Sequence, residues 1–444
     1  MNGAAVGTLR AGVGKHTITP PLDTPLFGYI ARAHGAESVH DELEAKALVV
    51  DDGETKVVLI GCDLLMLHPA TVASIREGVW QATGIPAEQV MVCCSHTHSG
   101  PITFPPVDHP DLAARANAYL EDLVSGIVTA VDQADRVLQP ALWGIGRGKA
   151  AIGVNRRQHL DDGRTVIGHN QDGPIDPELL VLRIDTVREG ERAPLALLVN
   201  YACHAVCLGP ESLAVTADWP GVMRHTIEAS GRGEVLFLQG ACADVNPRVG
   251  PAASFDGAER LGSEIGKQVL ALCGGIPLTE QIALRAGRRS IELPLLGPVG
   301  RDGAPVEAFA VLIANVLGLP EGEALAQVDA RFPWDADVVE REGVWRVRAE
   351  VQALLLDDIA LVGVAAEPFV EIGLRVKARS SAAVTFFAGY TNGCVGYVPT
   401  PLAYDQGGYE VTESHLFYRL PAPLAPACAE LIAGGALTLI EDLV

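Results

Sequence analysis

The 444-residue sequence lacks the features that would place a protein in a membrane or in an oxidising compartment. No apolar run reaches the roughly 20 residues that a membrane-spanning helix needs. Residues 1–20 contain neither the apolar core nor the preceding basic cluster of a secretion signal. The nine cysteines are odd in number and widely spread, unlike the dense frameworks of small secreted proteins. We therefore expect a cytoplasmic protein without stable membrane association.

Positive charge and flexible linkers are also scarce. The chain has 33 Lys and Arg against 55 Asp and Glu, a net charge of −22. Such a chain repels phosphates and anionic membrane surfaces, so no nucleic acid is an expected partner, and we take solubility as the main consequence of the charge. No Ser-, Pro- or Gln-rich linker divides the chain and 48% of its residues are hydrophobic, which predicts one large domain or two fused halves.

Apolar, β-branched runs alternate with amphipathic segments along the chain. The predicted strands cover 45–50, 56–62, 89–94, 195–202, 234–240, 291–295, 359–366 and 382–388, and the predicted helices cover 70–83, 111–135 and 423–442. The segments 12–21 and 23–29 are rich in turn-forming residues, and we expect them to wrap over the core. The alternation predicts an α/β fold.

Polar side chains follow several of these strands directly. They are His96, His98, His204, Asp244 and Glu367. In open α/β sheets ligands bind at the carboxyl ends of strands, where loops diverge from a rigid scaffold. In an extended segment His96 and His98 would also point the same way, because side-chain direction repeats every two residues. We therefore expect the five side chains to form one site.

Two chemistries suit this set of residues. Zinc accepts nitrogen, oxygen and sulfur ligands in a tetrahedron, and a catalytic zinc leaves one position for water or substrate. A cysteine nucleophile with a nearby base is the alternative, because Cys93, Cys94, Cys203 and Cys242 all lie close in sequence to a histidine or an aspartate. The spacing of the residues is long-range, and it does not choose between the two.

Seven motifs occur in the order seen in the neutral/alkaline ceramidases. They are Val13 to Pro21, Val39-His40-Asp41, His96-Thr97-His98-Ser99-Gly100-Pro101, Asn155-Arg156, Ala202-Cys203-His204, Asp244-Val245-Asn246-Pro247 and Asn392 to Glu410. The chain resembles the catalytic domain of that family over nearly its whole length. The resemblance implies mixed β-sheets flanked by helices, a single catalytic domain over residues 1–444, and a zinc amidohydrolase.

The resemblance also implies roles for individual residues. The residues that match zinc ligands are His96, His204, Glu367 and Tyr397. Those that match groups at the reacting centre are His98, Arg156 and Tyr409, with Tyr404 as the neighbour most easily confused with Tyr409. The implied mechanism is attack by a zinc-bound water on an amide carbonyl polarised by zinc, His98 and Tyr409. Asp244 either orients a ligand from behind or acts as a helix cap or turn carboxylate.

Two positions depart from the family pattern. Asn246 stands where the family has a serine that is sometimes assigned as a nucleophile, and an amide cannot attack a carbonyl but can donate a hydrogen bond to an oxyanion. Cys394 stands where the family has a further tyrosine. Because a thiolate is a softer zinc ligand than a phenol, Tyr397, Cys394 and water all remain candidates for the fourth ligand.

The substrate is the least determined part of the prediction. The chain ends at Val444 without the immunoglobulin-like module of those enzymes and carries a strong negative charge, so we expect a small, water-soluble amide rather than ceramide. A long insertion around 319–323 and 332–334 could close over the site. The alternatives are a true ceramidase, an esterase or lactonase, and a catalytically inactive binder, and a homo-oligomer is left open.

Overall fold

The computed structural model describes residues 7–29, 32, 34–103, 110–252, 254–296, 338–418, 420 and 422–444. Its strands are β1 Gly7–Thr8, β2 Arg10–Thr17, β3 Ser38–Val39, β4 Glu44–Asp51, β5 Lys56–Cys62, β6 Val90–Cys94, β7 Gln139–Lys149, β8 Gly153–His159, β9 Thr165–Asn170, β10 Glu178–Arg188, β11 Glu191–Tyr201, β12 Ala214–Val215, β13 Glu234–Gln239, β14 Val245–Pro247, β15 Gln281–Ile282, β16 Leu284–Pro294, β17 Val338–Arg341, β18 Val344–Leu356, β19 Ile359–Val364, β20 Glu367–Pro368, β21 Val384–Ala388 and β22 Tyr397–Val398. Its helices are α1 Pro69–Thr83, α2 Pro110–Arg136, α3 Asp218–Glu228, α4 Asp256–Cys273, α5 Val370–Arg379, α6 Pro401–Gln406, α7 Tyr409–Thr412 and α8 Cys428–Leu443.

Two large mixed sheets carry the fold. The larger has eight strands in the order β13-β11-β10-β7-β2-β4-β5-β6, and the other is built on β16-β18-β19-β21 with β17 paired to β18. Most neighbours are antiparallel, but β5 runs parallel to β6, β11 to β13, and β19 to β21. The α/β class and the mixed sheets flanked by helices, expected from the sequence, are confirmed.

One hydrophobic core lies between the two sheets. Along β4, Leu48 and Val50 face this inter-sheet core, whereas Ala47 and Val49 belong to a larger cluster that includes residues of helices α1 and α2. This division follows from the two-residue repeat of a strand, since a strand covered on both faces must be apolar at every position. Helix α3 packs on β13, helix α4 packs on α3 and on β10 and β7, and helix α8 packs on β16 and β18.

The amino-terminal segment differs from the expectation. Residues 12–17 do not wrap over the core as turns, because Arg10–Thr17 forms strand β2 inside the eight-stranded sheet and pairs with β4. The glycines that suggested turns serve close packing instead. A Cβ atom on Gly12 would lie 2.1 Å from the carbonyl oxygen of Ala134, and one on Gly14 would lie 2.2 Å from that of Ala130. Helix α2 therefore packs directly on the β2 backbone.

The two sheets meet where their parallel strands end. The amide of Cys94, at the end of β6, donates to the carbonyl of Tyr390 at 3.2 Å, and the amide of Gly389 donates to Gln239 at 3.0 Å. Each bond joins the last residue of a strand of the eight-stranded sheet to the loop that follows β21 of the other sheet. The insertion expected to cover the site, around 319–323 and 332–334, lies outside the described residues. None of the helices in the described ranges is both long and apolar enough to cross a membrane.

Candidate metal centre

Three histidines converge at the junction of the two sheets. His96 and His98 follow β6, and His204 follows β11. Their ligand nitrogens all lie within 4.8 Å of one another, and Nε2 of His98 is 3.3 Å from Nε2 of His96. The expected clustering is present, but its cause is not an extended segment. His96 adopts a left-handed backbone with a φ of 62°, which turns the chain sharply between strand and loop.

The second nitrogen of each ring is held by a backbone carbonyl. Nδ1 of His96 is 2.8 Å from the oxygen of Leu65, and Nδ1 of His204 is 2.6 Å from that of Cys242. Nδ1 of His98 is 3.1 Å from the oxygen of Gly28. A carbonyl oxygen only accepts, so each Nδ1 carries the hydrogen and each Nε2 presents a lone pair. Facing lone pairs repel, and a cation between them removes that repulsion.

Glu367 adds a carboxylate to the same point. It lies in β20, which pairs with β22 so that Glu367 stands beside Tyr397. Oε2 of Glu367 is 3.6 Å from Nε2 of His96 and 3.8 Å from Nε2 of His204. The hydroxyl of Tyr418 donates to Oε1, and that of Tyr390 lies 3.4 Å from Oε2. Oε1 of Glu367 is therefore fixed by the Tyr418 hydroxyl, while Oε2 faces the imidazoles.

The electrostatics of the cluster favour a bound cation. His96 and Glu367 are each only 1% exposed. Burial lowers the pKa of His96 to about 3 and lowers the pKa values of His98 and His204 well below the ordinary value, so the rings are neutral. Burial also raises the pKa of Glu367 to about 8, because this carboxylate lacks a fully compensating positive charge. Neutral imidazoles beside a carboxylate are the ligand set that zinc takes in proteins.

Arg156 reaches the cluster from β8. Its Nη2 donates to the phenol oxygen of Tyr397 at 3.1 Å, and its Nη1 lies 3.3 Å from Nε2 of His204. Nη1 also lies 3.4 Å from Oδ1 of Asn246. Since Oδ1 of Asn246 accepts from the guanidinium, its Nδ2 hydrogens are the ones left to donate elsewhere. The structure thus brings Arg156, Asn246 and Tyr397 to one side of the histidines.

Tyr404 and Tyr409, which the sequence could confuse, occupy different positions relative to the histidines. The hydroxyl of Tyr404 donates to the carbonyl of Leu424 at 2.5 Å, away from the histidines. The ring of Tyr409 lies 5.7 Å from that of Tyr397, at the edge of the site. Within the described part of the chain, no hydrogen bond engages the Tyr409 hydroxyl, which leaves it available to a substrate. Tyr409, rather than Tyr404, is therefore the tyrosine placed at the site.

Asp244 occupies a supporting position rather than the site itself. Its Oδ1 accepts from the backbone amide of Val370, at the start of helix α5, at 2.8 Å. Its Oδ2 accepts from Nδ2 of Asn155 at 2.9 Å. Its side-chain bonds in the described structure go to these two partners and to no predicted metal ligand. Of the two roles expected for this residue, the arrangement corresponds to the helix cap.

The cysteines do not form a nucleophilic pair. All nine are buried thiols. Burial raises the pKa values of Cys94, Cys203 and Cys242 well above the ordinary value and that of Cys93 to about 12, so none of the four favours the thiolate form that a nucleophile needs. Burial likewise raises the pKa of Cys394. These raised pKa values disfavour the cysteine-nucleophile alternative.

Four further residues at the site escaped the sequence reasoning. Tyr390 stacks on His96 with 3.9 Å between ring centroids, and it follows β21 in the same way that Glu367 follows β19. Tyr418 has no comparable signal. Glu410 and Arg157 stand beside Tyr409 and Arg156 in the sequence and form an ion pair at 2.6 Å. Their positions beside motif residues mark both as candidate site residues, but nothing in the sequence shows that they pair.

Residues 9–259 match the family model described as neutral/alkaline non-lysosomal ceramidase, N-terminal, and this range is more than half of the chain. It contains His96, His98, Arg156 and His204, whereas Glu367, Tyr397 and Tyr409 lie beyond it.

Individual relatives extend the similarity along the chain. The neutral ceramidase of Mycobacterium tuberculosis is 22% identical over 479 aligned positions, which cover 90% of this chain and 73% of the relative. The crystal structure of neutral ceramidase from Pseudomonas aeruginosa is 20% identical, has a TM-score of 0.72, and is matched over 98% of this chain and 75% of its own. A ceramidase complexed with C2 has a TM-score of 0.74 at 20% identity, with 98% of this chain and 76% of its own covered. At this identity the two structures establish a shared fold.

Proposed function

The chain belongs to the neutral/alkaline non-lysosomal ceramidase family, and from that premise we propose that it is a zinc-dependent hydrolase that cleaves a linear amide bond with water. The observation that carries the proposal is the convergence of His96, His98, His204 and Glu367. Three neutral imidazoles turn their lone pairs to one point, with a carboxylate oxygen 3.6 Å from one of them. Family membership supports hydrolysis of an amide bond, and the ligand set supports the metal.

The proposed metal ligands are His96, His204, Glu367 and Tyr397. A catalytic zinc supplies Lewis acidity towards a carbonyl oxygen and lowers the pKa of a water molecule. The chain's own contribution is to hold the ligands rigidly. The carbonyls of Leu65 and Cys242 fix the rings of His96 and His204 through Nδ1, at 2.8 and 2.6 Å. Such hydrogen bonds behind the ligands set both their orientation and their basicity.

His98 has a role different from the one that the mechanism first suggested. With its Nδ1 hydrogen directed at the Gly28 carbonyl, 3.1 Å away, its Nε2 is an acceptor and cannot polarise a substrate carbonyl. We assign His98 Nε2 to accept a proton from the attacking water and to return it to the leaving nitrogen. The donors that stabilise negative charge on the substrate oxygen are then the Tyr409 hydroxyl and the Asn246 amide.

For the substrate we propose a small, water-soluble amide. The support is the net charge of −22, which opposes binding to anionic lipid surfaces. Ceramide is the second candidate, because relatives of this chain carry the name ceramidase. A long acyl chain would add affinity of about 0.8 kcal/mol for each methylene buried. Reactivity as a function of acyl length therefore separates the two.

The experiment is a substrate panel run with defined metal content. The purified protein is stripped with a chelator, reloaded with zinc, and assayed against amides of short and long acyl chains together with matched esters. We expect zinc-dependent cleavage of amides, fastest for short, soluble acyl groups. Faster cleavage of long-chain N-acyl sphingosines would assign the chain to ceramide, and activity confined to esters would exclude the amidase proposal.

A further inference from the structure

We propose that Glu410 is a positioning residue that holds both Arg156 and the Tyr409 segment in place at the metal centre. Its carboxylate is divided between two consecutive arginines. Oε1 accepts from Nε of Arg156 at 2.8 Å, and Oε2 accepts from Nη1 of Arg157 at 2.6 Å. All three side chains are buried, with exposures of 3% for Glu410, 4% for Arg156 and 5% for Arg157.

The two arginines connect Glu410 to different parts of the site. Arg156 uses its remaining nitrogens on Tyr397, His204 and Asn246, at 3.1, 3.3 and 3.4 Å. Glu410 binds Nε of Arg156 and so fixes the plane of the guanidinium group. These three contacts depend on the orientation of that plane. A charged, planar partner of this kind sets orientation as well as charge.

Arg157 forms hydrogen bonds with the backbone of the segment that precedes Tyr409. Its Nη2 donates to the carbonyl of Gly407 at 2.8 Å and lies 3.5 Å from that of Ala403. Gly408 has a φ of 96°, and a Cβ atom there would lie 3.2 Å from Nη1 of Arg157. Because Glu410 directly follows Tyr409, the Arg157–Glu410 pair holds the chain on both sides of that tyrosine.

Consecutive residues of a regular strand point to opposite faces, so two neighbouring arginines should not meet one carboxylate. The pairing of β8 with β9 is irregular at this point, since Asn155 pairs with Asn170 while Arg157 pairs with Ile167. Such a bulge redirects a side chain and is frequent beside active sites. It allows Arg156 and Arg157 to converge on Glu410.

This inference rests on the proposed function, in which the Tyr409 hydroxyl stabilises negative charge on the substrate oxygen and Arg156 donates to Tyr397, a proposed metal ligand. If that function is right, Glu410 acts through these two residues without contacting metal or substrate. Loss of its charge then lowers the rate of the chemical step but leaves the ligand residues in place. The loss should approach the effect of removing one well-aimed donor, about 100-fold in kcat.

The first test compares Glu410→Gln with Glu410→Asp. We expect Glu410→Gln to lower kcat about 100-fold, with zinc content and KM close to those of the wild type. The Asp variant, which keeps the charge on a shorter side chain, should recover part of the loss. Asp185→Asn is the matched control, because Asp185 is a buried partner of Arg183 at 2.9 Å on strand β10. A kcat loss as large in Asp185→Asn as in Glu410→Gln would overturn the proposal.

The second test measures coupling. In a variant that already carries Arg156→Met and Tyr409→Phe, adding Glu410→Gln should lower kcat by less than about threefold. The reason is that both residues through which Glu410 acts are already replaced. If Glu410→Gln instead lowers kcat by the same factor in this background as in the wild type, the positioning role is refuted.

The third test needs no substrate and therefore stands apart from the proposed function. The amides of Val411 and Thr412 both bond to the carbonyl of Gly408 at 3.0 Å. In Arg157→Lys, which keeps the charge but loses the fork geometry, hydrogen exchange over 403–413 should be faster than in the wild type, while exchange over 178–188 is unchanged. Unaltered hydrogen exchange over 403–413 in both Arg157→Lys and Glu410→Gln would show that the Arg157–Glu410 pair does not hold this segment. That result would refute the proposal even if the enzyme is active. An inactive wild type with the expected exchange pattern would refute only the proposed function.

Discussion

The strongest quantitative prediction concerns Asp244, which the sequence assigned either to a ligand-orienting or to a helix-capping role. Its carboxylate is 1% exposed and accepts two hydrogen bonds, from Val370 N and Asn155 Nδ2. In Asp244→Ala the amino terminus of helix α5 loses its capping acceptor, at a cost of about 1 kcal/mol. The buried Asn155 amide also loses an acceptor, at a cost of about 1–3 kcal/mol. At pH 5 the free energy of unfolding should therefore fall by roughly 2–4 kcal/mol.

The same residue should give stability a definite pH dependence in the metal-free protein. Burial raises the pKa of Asp244 from the ordinary 3.8 to about 7. Between these two values the folded state binds the proton more tightly than the unfolded state, so stability from this group falls as pH rises through that window and is constant above it. The difference between the two pKa values corresponds to about 4 kcal/mol at full ionisation. The advantage of the wild type over Asp244→Ala should be larger at pH 5 than at pH 8.

Urea denaturation of chelator-treated wild type and Asp244→Ala, at several pH values, measures both effects. Zinc affinity is determined in parallel by competition with a chelator. Unchanged unfolding midpoints at pH 5, combined with a loss of zinc affinity of about 10–100-fold, would refute the capping account and show that Asp244 orients a ligand. A pH dependence of the opposite sign would refute the electrostatic reasoning.

Three further predictions follow from the site. Cys394→Ala should keep its zinc, whereas Tyr397→Phe should bind zinc more weakly in chelator competition, and a structure with the Cys394 sulfur on the metal would reverse this assignment. Asn246→Ala should raise the barrier by about 2–4 kcal/mol, measured as kcat/KM. Turnover should pass through no covalent acyl-enzyme, since Asn246 stands in the position of the family serine, and an acylated residue found by mass spectrometry of a quenched reaction would contradict it.

The sequence predicts those site residues that directly follow the end of a buried, continuously apolar strand. Buried strands read as continuous apolar runs, so the strand ends preceding His96, His204 and Glu367 could be located without a structure. All three side chains lie at one junction. Tyr390 obeys the same rule, but a single tyrosine after a strand is too common to be recognised.

Other parts depend on contacts that sequence patterns do not encode. Gly12 and Gly14 suggested turns, because a glycine needed for close packing against a helix looks the same as a turn glycine. The left-handed backbone of His96 is stabilised by tertiary bonds such as His96 N to the Leu64 carbonyl at 2.9 Å. Arg157 and Glu410 are 253 positions apart, so only the folded chain reveals their pairing.

The central claim is that His96, His204 and Glu367 hold a catalytic zinc, and a crystal structure of the purified protein with anomalous data at the zinc absorption edge tests it most directly. The account predicts one strong anomalous peak bonded to Nε2 of both histidines at about 2.0–2.1 Å and to a Glu367 oxygen at about 2.0–2.2 Å, and no peak in His204→Ala. An active wild-type protein with no anomalous peak at these residues would contradict the account.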